Sequence, residues 1–334
     1  NPAYKAGLTG CAPGHAGMIP AGGAQMQKCV GIVGIGFMGQ AFTANLLRAG
    51  FSLRGFDKDS GRMKEFQDQG GIAASSAAEA ARGARWVLTS LPNSAVVREA
   101  VFGPGGIAEG AERGLLITDA TTSRPEDSAS LATELEDRGI RFLDAAVSGT
   151  SAMAWKKDLI VVAGGKPEDF EACRPLFDGF AKAAYHMGPV GSGALAKLII
   201  NLVLDCNRLG LAEGLVLGLK AGLNMDSLLV ALKEGAAGSK TMDQKGAKMI
   251  YADYTPESHL TTALKDVRLM LEQGQRFGVP MLLTSIFAQI AQIGVESGYA
   301  KYDSSSIMEV LRQMAGLPTV KTDKEERQPF TQPE

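Results

Sequence analysis

The sequence predicts an α/β N-terminal domain with a mostly parallel sheet, followed by an all-α C-terminal domain entered through one long interdomain helix. Three observations carry this. Short apolar runs alternate with helix-patterned segments from residue 28 to about residue 189, as in a parallel sheet with helices on both faces. Strand signals stop beyond Gly193, and helical periodicity fills the chain to about Met314. A glycine-rich turn, GIGFMG, directly follows the first apolar run and opens a helix-patterned stretch.

The strand candidates are 29–33, 52–56, 86–89, 115–118, 141–143 and 159–163, each short and most leading into Gly, Pro, Ser or Asp. The helix after the glycine turn covers 40–49. The longest apolar region, 194–219, is interrupted by Lys197, Asp205, Arg208 and Glu213. A bilayer would have to accommodate those ionisable groups, so the region reads as a buried helix over about 194–221. At 334 residues the chain suits two domains, placed at 27–190 and 191–316. Residues 1–26 are expected to be a disordered extension with Met26 as the start residue, and 317–334 a polar disordered tail. Residues 1–25 hold no sustained apolar run and no arginine, so neither a secretory signal nor a transit peptide is expected.

Net charge −2 with 21% charged and 45% hydrophobic residues is the balance of a soluble protein. No basic excess points to nucleic acid, and no membrane partner is expected. The four cysteines show no CxxC spacing and the three histidines lie far apart. No metal site is therefore expected, and a reducing cytoplasm fits better than a disulfide-forming compartment.

Gly34, Gly36 and Gly39 have the G-x-G-x-x-G spacing between a strand and a helix, the context of a Rossmann dinucleotide site. Gly34 would allow the tight turn, Gly36 the approach of a pyrophosphate, and Gly39 close helix packing, with the helix N-terminus as anion site. Ile35, Phe37 and Met38 complete the cofactor-binding turn. Asp57 ends the second strand roughly 20 residues on, where a carboxylate accepts from the adenosine ribose hydroxyls, so NAD is favoured over NADP. Lys58, counted with the cofactor site, and Arg54 lie close enough in sequence to leave NADP open. LPNS, DATTS and DAAVSG each lie beyond the carboxyl end of a strand candidate, on the same rim as the glycine turn. Leu91, Pro92 and Thr122 are thereby placed to line the nicotinamide half.

GSGALAKLIIN, residues 191–201, opens the long helix and puts Lys197 and Asn201 on one face, with Asp205 at the next i+4 step. Leu198, Ile199, Ile200, Leu202, Val203 and Leu204 are expected to surround this stripe with apolar surface. A lysine so placed loses hydration, which favours its neutral form and suits it to proton transfer. The other reading is that Lys197 pairs with Asp205 or reaches solvent past the apolar wall. His186, expected in a turn, and His259 read as structural.

Four segments taken together resemble the β-hydroxyacid dehydrogenase family, whose members include 3-hydroxyisobutyrate dehydrogenase and tartronate semialdehyde reductase. They are GIGFMGQAFTANLLRAG (34–50), DAAVSGT (144–150), GSGALAKLIIN (191–201), and Lys265 with Asp266 in ALKDVRLM. The resemblance runs from about Gln27 to Leu317. It implies that Lys197 is the acid/base residue and that Asn201 orients the substrate. It also implies that Ser148 and Gly149 bind the substrate carboxylate, with Thr150 in the same segment, and that Lys265 contacts the cofactor near the nicotinamide. The family's substrate loop usually reads D-A-P-V-S-G-G, whereas this chain has Ala146 for the proline and Thr150 for the second glycine, and continues into Trp155-Lys156-Lys157-Asp158. A substrate different from the best-known ones, larger or more anionic, is consistent with that departure.

Gly210, Gly214, Gly218 and Gly222 recur every four residues late in the long helix. Each disfavours helix by roughly 1 kcal/mol relative to alanine, and a smooth face for a second helix would compensate, so a homodimer or homotetramer is expected. The sequence thus reads as an NAD-dependent oxidoreductase acting on a small β-hydroxy acid. The alternatives are a semialdehyde or imine reductase using NADPH, and a dinucleotide-binding module without turnover.

Overall fold

The structure, a computed structural model, describes residues 28–319. The expected extension over 1–26 and the greater part of the expected tail lie outside the described residues. Leu317, at the start of that tail, donates its backbone N–H to Arg312 and packs on the helical core.

The chain divides into two compact units between Lys197 and Leu198. In the first, strands and helices alternate as β1 (Cys29–Val33), α1 (Phe37–Arg48), β2 (Ser52–Phe56), α2 (Ser60–Asp68), β3 (Ile72–Ala73), α3 (Ala77–Ala81), β4 (Trp86–Thr89), α4 (Ser94–Phe102), α5 (Ile107–Gly110), β5 (Leu116–Asp119), α6 (Pro125–Glu136), β6 (Arg141–Ser148), α7 (Ser151–Trp155), β7 (Ile160–Gly164), α8 (Pro167–Phe180) and β8 (Ala183–Gly188). Helix α9 (Ser192–Lys220) begins in this unit and continues into the next.

The eight strands form one sheet in the order β3-β2-β1-β4-β5-β6-β7-β8. Its central strands are apolar on both faces, because helices cover both. Val30, Ile32, Trp86, Leu88, Leu116 and Leu143 belong to one core with Phe42 and Leu46 of α1 and Phe177 and Phe180 of α8. Val33, Val87, Ile117 and Phe142 belong to the other, with Val97, Val101, Leu131 and Leu135 of α4 and α6. Side chains close the first turns of four helices by accepting backbone N–H groups: Asp59 for α2, Ser76 for α3, Asn93 for α4 and Thr150 for α7.

The sheet departs from the sequence reading in four ways. Strand β6 runs on to Ser148, so DAAVS is strand and not loop. Its Asp and small residues read as a turn, yet 142–147 are all buried and 144–148 pair with β7. That pairing is antiparallel, reversing the direction of the sheet. Strands β3 and β8 gave no signal, because β3 is two residues long and β8 is a largely exposed edge carrying His186, expected in a turn. Strands β5 and β7 each lie one residue beyond their expected bounds.

The second unit continues α9 and adds α10 (Met225–Glu234), α11 (Lys240–Ile250), α12 (Leu260–Phe277), α13 (Leu282–Gly294) and α14 (Ile307–Met314), with short 3-10 and π turns between the last two. Leu211, Leu215, Val267, Met270, Phe287 and Ile307 form its core. Lys245 is buried there between Asp303 and Glu257, at 2.9 and 2.8 Å, and Asp303 also accepts from the backbone of Glu257 and Ser305. A buried charge is tolerable only when paired in this way.

Candidate active site

The strand order turns back between β1 and β4, and a crevice for a ligand opens beyond the carboxyl ends of such strands. The glycine turn leaves β1 at that point. Gly34 has φ 93°, and a Cβ there would lie 2.3 Å from the Ser90 carbonyl oxygen. A Cβ at Gly39 would lie 2.2 Å from the Gly34 oxygen, so α1 rests directly on the turn. At Gly36, which caps α1, the first atom a Cβ would meet is the Arg62 guanidinium nitrogen at 3.9 Å. Ile35 is buried, Phe37 is exposed and Met38 packs on the core.

Asp57 follows β2 as expected, and its carboxylate accepts the Ile35 N–H at 2.7 Å and the Asp59 N–H at 2.9 Å. It therefore braces the glycine turn from within the protein. Arg62 lies 3.6 Å from the same carboxylate. Sequence reasoning missed Arg62, which stands on the next helix and is aimed at the turn only by the fold. The two cations it named point elsewhere: Arg54 donates to the Glu79 and Arg82 carbonyls, and Lys58 pairs with Glu99 at the surface.

The loops after β4 and β5 are tied together. Leu91 donates its N–H to the Thr121 hydroxyl at 3.0 Å, and the Thr121 N–H and the Thr89 hydroxyl both donate to Asp119. Pro92 is exposed and Thr122 half-buried on these loops. Burial pushes the Asp119 carboxyl up to about 6, against the hydrogen bonds from Thr121 and Thr89. Beside these loops a cavity of about 290 Å³ lies between α4 and α6, lined by Ser94, Arg98, Asp119, Ser123, Asp127 and Ser128 among others. It takes Ser94 from LPNS and Asp119 and Ser123 from DATTS, but none of the residues given a binding or catalytic role from sequence. The hydroxyls of Ser123 and Ser128 are buried there without a hydrogen-bond partner.

Ser148 ends β6 half-buried, and Gly149 follows exposed with φ 138°. Thr150 caps α7 by accepting the Met153 N–H at 3.3 Å, a structural task for the residue that departs from the family pattern. Trp155 is exposed, Lys157 takes a left-handed turn, and Asp158 pairs with Lys182.

Helix α9 begins against the sheet. Asp144 accepts the Gly191 N–H at 2.8 Å and the Ala194 N–H at 2.6 Å, and Lys197 follows in the next turn, half-buried. Further along the helix, in the second unit, Asn201 donates to Asp266 at 3.0 Å, and Lys265 pairs with Asp266 at 3.1 Å. Asp205 is buried and pairs with Arg208 at 2.7 Å. The expected apolar wall is incomplete: Leu198 is buried, but Ile199 and Val203 are exposed. The expected glycine face also breaks up. Gly218 packs on Leu228 and Met225 of its own unit, Gly222 lies past the helix end with φ 71°, and Gly210 and Gly214 face open space. His186 bonds to the Gly165 carbonyl and His259 to that of Lys301. Among the described residues no cluster of His, Cys, Asp and Glu is arranged to hold a metal ion, and no helix is long and apolar enough to cross a membrane.

Comparison with known proteins bears on this arrangement. Residues 29–188 match the NAD binding domain of 6-phosphogluconate dehydrogenase, and residues 191–311 match the family described as NAD-binding of NADP-dependent 3-hydroxyisobutyrate dehydrogenase. The 2-(hydroxymethyl)glutarate dehydrogenase of Eubacterium barkeri is 31% identical over 295 residues, spanning 87% of this chain and 98% of that one. The human mitochondrial 3-hydroxyisobutyrate dehydrogenase is 32% identical over 291 residues, spanning 85% and 87%. The chain belongs to the β-hydroxyacid dehydrogenase family. A solved 3-hydroxyisobutyrate dehydrogenase from Salmonella typhimurium has the same fold, with TM-score 0.79 at 27% identity over 84% of this chain and 99% of that one. This β-hydroxyacid dehydrogenase is an NAD(P)-dependent oxidoreductase acting on a CH–OH group. Its first unit fits a dinucleotide, with an open approach at Gly36, the α1 N-terminus behind it and a carboxylate at the end of β2.

Proposed function

We propose that this enzyme oxidises a small β-hydroxy acid reversibly with NAD, and that Lys197 is its acid/base group. As a free amine, Lys197 takes the proton of the substrate hydroxyl; in the reverse direction its ammonium returns the proton to the carbonyl oxygen. A nicotinamide held by the glycine turn would supply the acceptor for the hydride from the carbinol carbon. Ser148 and the Gly149 N–H hold the substrate carboxylate, and Asn201 orients the substrate, its amide steadied by Asp266. Gly34, Ile35, Gly36, Phe37, Met38 and Gly39 cradle the dinucleotide. Leu91, Pro92 and Thr122 flank its nicotinamide end, and Lys265 contributes from α12.

The observation that carries this reading is Lys197 itself. It is a half-buried lysine one turn into a helix whose start is fastened to Asp144, on the strand that ends at Ser148. Both curated relatives named above also carry hydroxy acids in their names. Replacing Lys197 with Ala is expected to lower turnover by orders of magnitude while NADH binding, followed by fluorescence titration, stays nearly intact. Wild-type turnover in that variant sinks the assignment.

Asp57 supports NAD, because a 2′-phosphate beside a carboxylate is repelled. Arg62 favours a second reading, NADP, since a guanidinium near the ribose position is suited to a phosphate. We also propose a homodimer formed through α9. Ile199, Val203, Gly210, Gly214 and Leu217 fall within an arc of about 60° on the helix. The three apolar side chains are exposed and the two glycines open.

A further inference from the structure

We propose that Asp144 is a positioning residue, which fixes Lys197 by fastening the first turn of α9 to the middle of β6. The inference rests on the reading of Lys197 as acid/base group.

The first N–H groups of a helix have no partner within it. Four helices of this unit meet that need with a side chain at their own cap, but α9 starts at Ser192 and its entry is held by a residue about 50 positions earlier, Asp144 (|i−j| 47 and 50). Both carboxylate oxygens work as acceptors, Oδ1 for Gly191 and Oδ2 for Ala194, and the residue is only 3% exposed. The joint is built for closeness. A Cβ at Gly193 would stand 2.4 Å from the Asp144 carbonyl oxygen and 2.7 Å from the Gly164 nitrogen, and a Cβ at Gly164 would stand 2.6 Å from Asp144 Oδ1. A helix seated this tightly transmits any movement of its first turn to Lys197, one turn on.

Asp144 has one charged neighbour in register. Its partner on β5 is Asp119, while β7 presents Gly164 and α9 presents backbone N–H groups. The two aspartates divide the rim between them: Asp119 holds Thr121 and through it Leu91, and Asp144 holds α9. Burial pushes the Asp144 carboxyl up to about 6, against the Gly191 and Ala194 N–H groups, with Asp119 pushing the same way. As a carboxylate it accepts from both N–H groups. Once protonated, one oxygen carries a hydrogen and no longer serves both equally, so the anchor slackens as pH falls through that value.

The test is Asp144→Asn, which keeps the shape but replaces one acceptor by a donor and cannot titrate. Its kcat is expected to fall by about 10–100-fold, with NADH affinity and melting temperature close to wild type. The wild-type acid limb of kcat near pH 6 should vanish in the variant. Hydrogen exchange on the wild-type enzyme needs no variant to fold: protection of the Ala194 amide should drop as pH falls through about 6. A wild-type kcat in Asp144→Asn overturns the proposal. So does parallel loss of kcat, coenzyme affinity and melting temperature, or pH-independent protection of Ala194. Lys197→Met separates the two readings. If that variant turns over like wild type, the acid/base assignment fails and this inference with it; if it is inactive while Asp144→Asn is fully active, this inference alone fails.

Discussion

Asp57 uses both carboxylate oxygens on backbone N–H groups, Ile35 in the glycine turn and Asp59 at the start of α2. A ribose hydroxyl arriving there meets an acceptor already oriented by the protein. Replacing Asp57 with Ala is expected to weaken NADH by about 10–100-fold, the worth of hydrogen bonds to a charged group. NADPH, which gains by losing the repulsion and keeping Arg62, should weaken less. Fluorescence titration of both coenzymes checks this, and an equal loss would remove the ribose contact. The places of the glycine turn, of Asp57 after β2 and of Lys197 on the long helix were legible in the sequence because each belongs to a local pattern of turn, strand end or helix face. Arg62, Asp119 and Asp144 were not, since their roles come from partners that only the folded sheet supplies. Asp205 adds a case: the i+4 stripe was read from the sequence, and the pairing with the arginine at i+3 was not.

At the scale of elements, α9 was legible as one long helix but not as a surface. Four glycines at even spacing read as one face, whereas the helix ends before Gly222 and Gly218 meets α10, leaving two of them open. Spacing alone does not reveal which neighbour reaches which turn. The remaining open strip includes Leu217, 71% exposed, and a charge there would be buried without a partner in any dimer that uses it. Leu217→Arg is therefore expected to shift the protein toward monomer in sedimentation, with the fold retained. Unchanged sedimentation against a dimeric wild type would place the dimer contact elsewhere. Strand β6 was cut short in the sequence reading for a related reason. Asp144 and the alanines after it resemble turn residues unless the burial of both faces and the pairing with β7 are known.

Across the whole molecule, the α/β-then-α order was legible because strand and helix periods differ, and the antiparallel reversal at β7 was not, because a strand's direction leaves no mark on its own sequence. The two units also differ in how acid acts on them. Asp119 and Asp144 sit above the usual 3.8, at about 6, through burial. A carboxyl held above its unfolded value contributes stability that is present below that value and lost as pH rises through the folded one. Lowering pH from 7 to 5 should therefore stabilise the sheet unit, by about 1 kcal/mol for one such group, with the rest gained only as pH approaches 3.8. Asp303 in the helical unit is shifted the other way: burial acts to raise it, but Lys245 and its other hydrogen-bond donors outweigh that and hold it below 3.8. Its contribution persists down to about pH 4 and is lost below. Urea titrations at pH 7, 5 and 3.5, read by hydrogen exchange within each unit, check both signs; a sheet unit weaker at pH 5 than at pH 7 contradicts the first.

The ladder that joins Ser148 to Ile160 has a bearing on how such an enzyme diversifies. Ser148 is pinned by its strand, and within the span 149–159 Ala154 and Leu159 are buried in the sheet core, so the exposed residues 155–157 are the ones that can change chemistry without shifting the strands that flank them. Selection for a new hydroxy acid, in nature or in a library, has its safest room for experiment at those exposed positions, which in this chain are a tryptophan and two lysines.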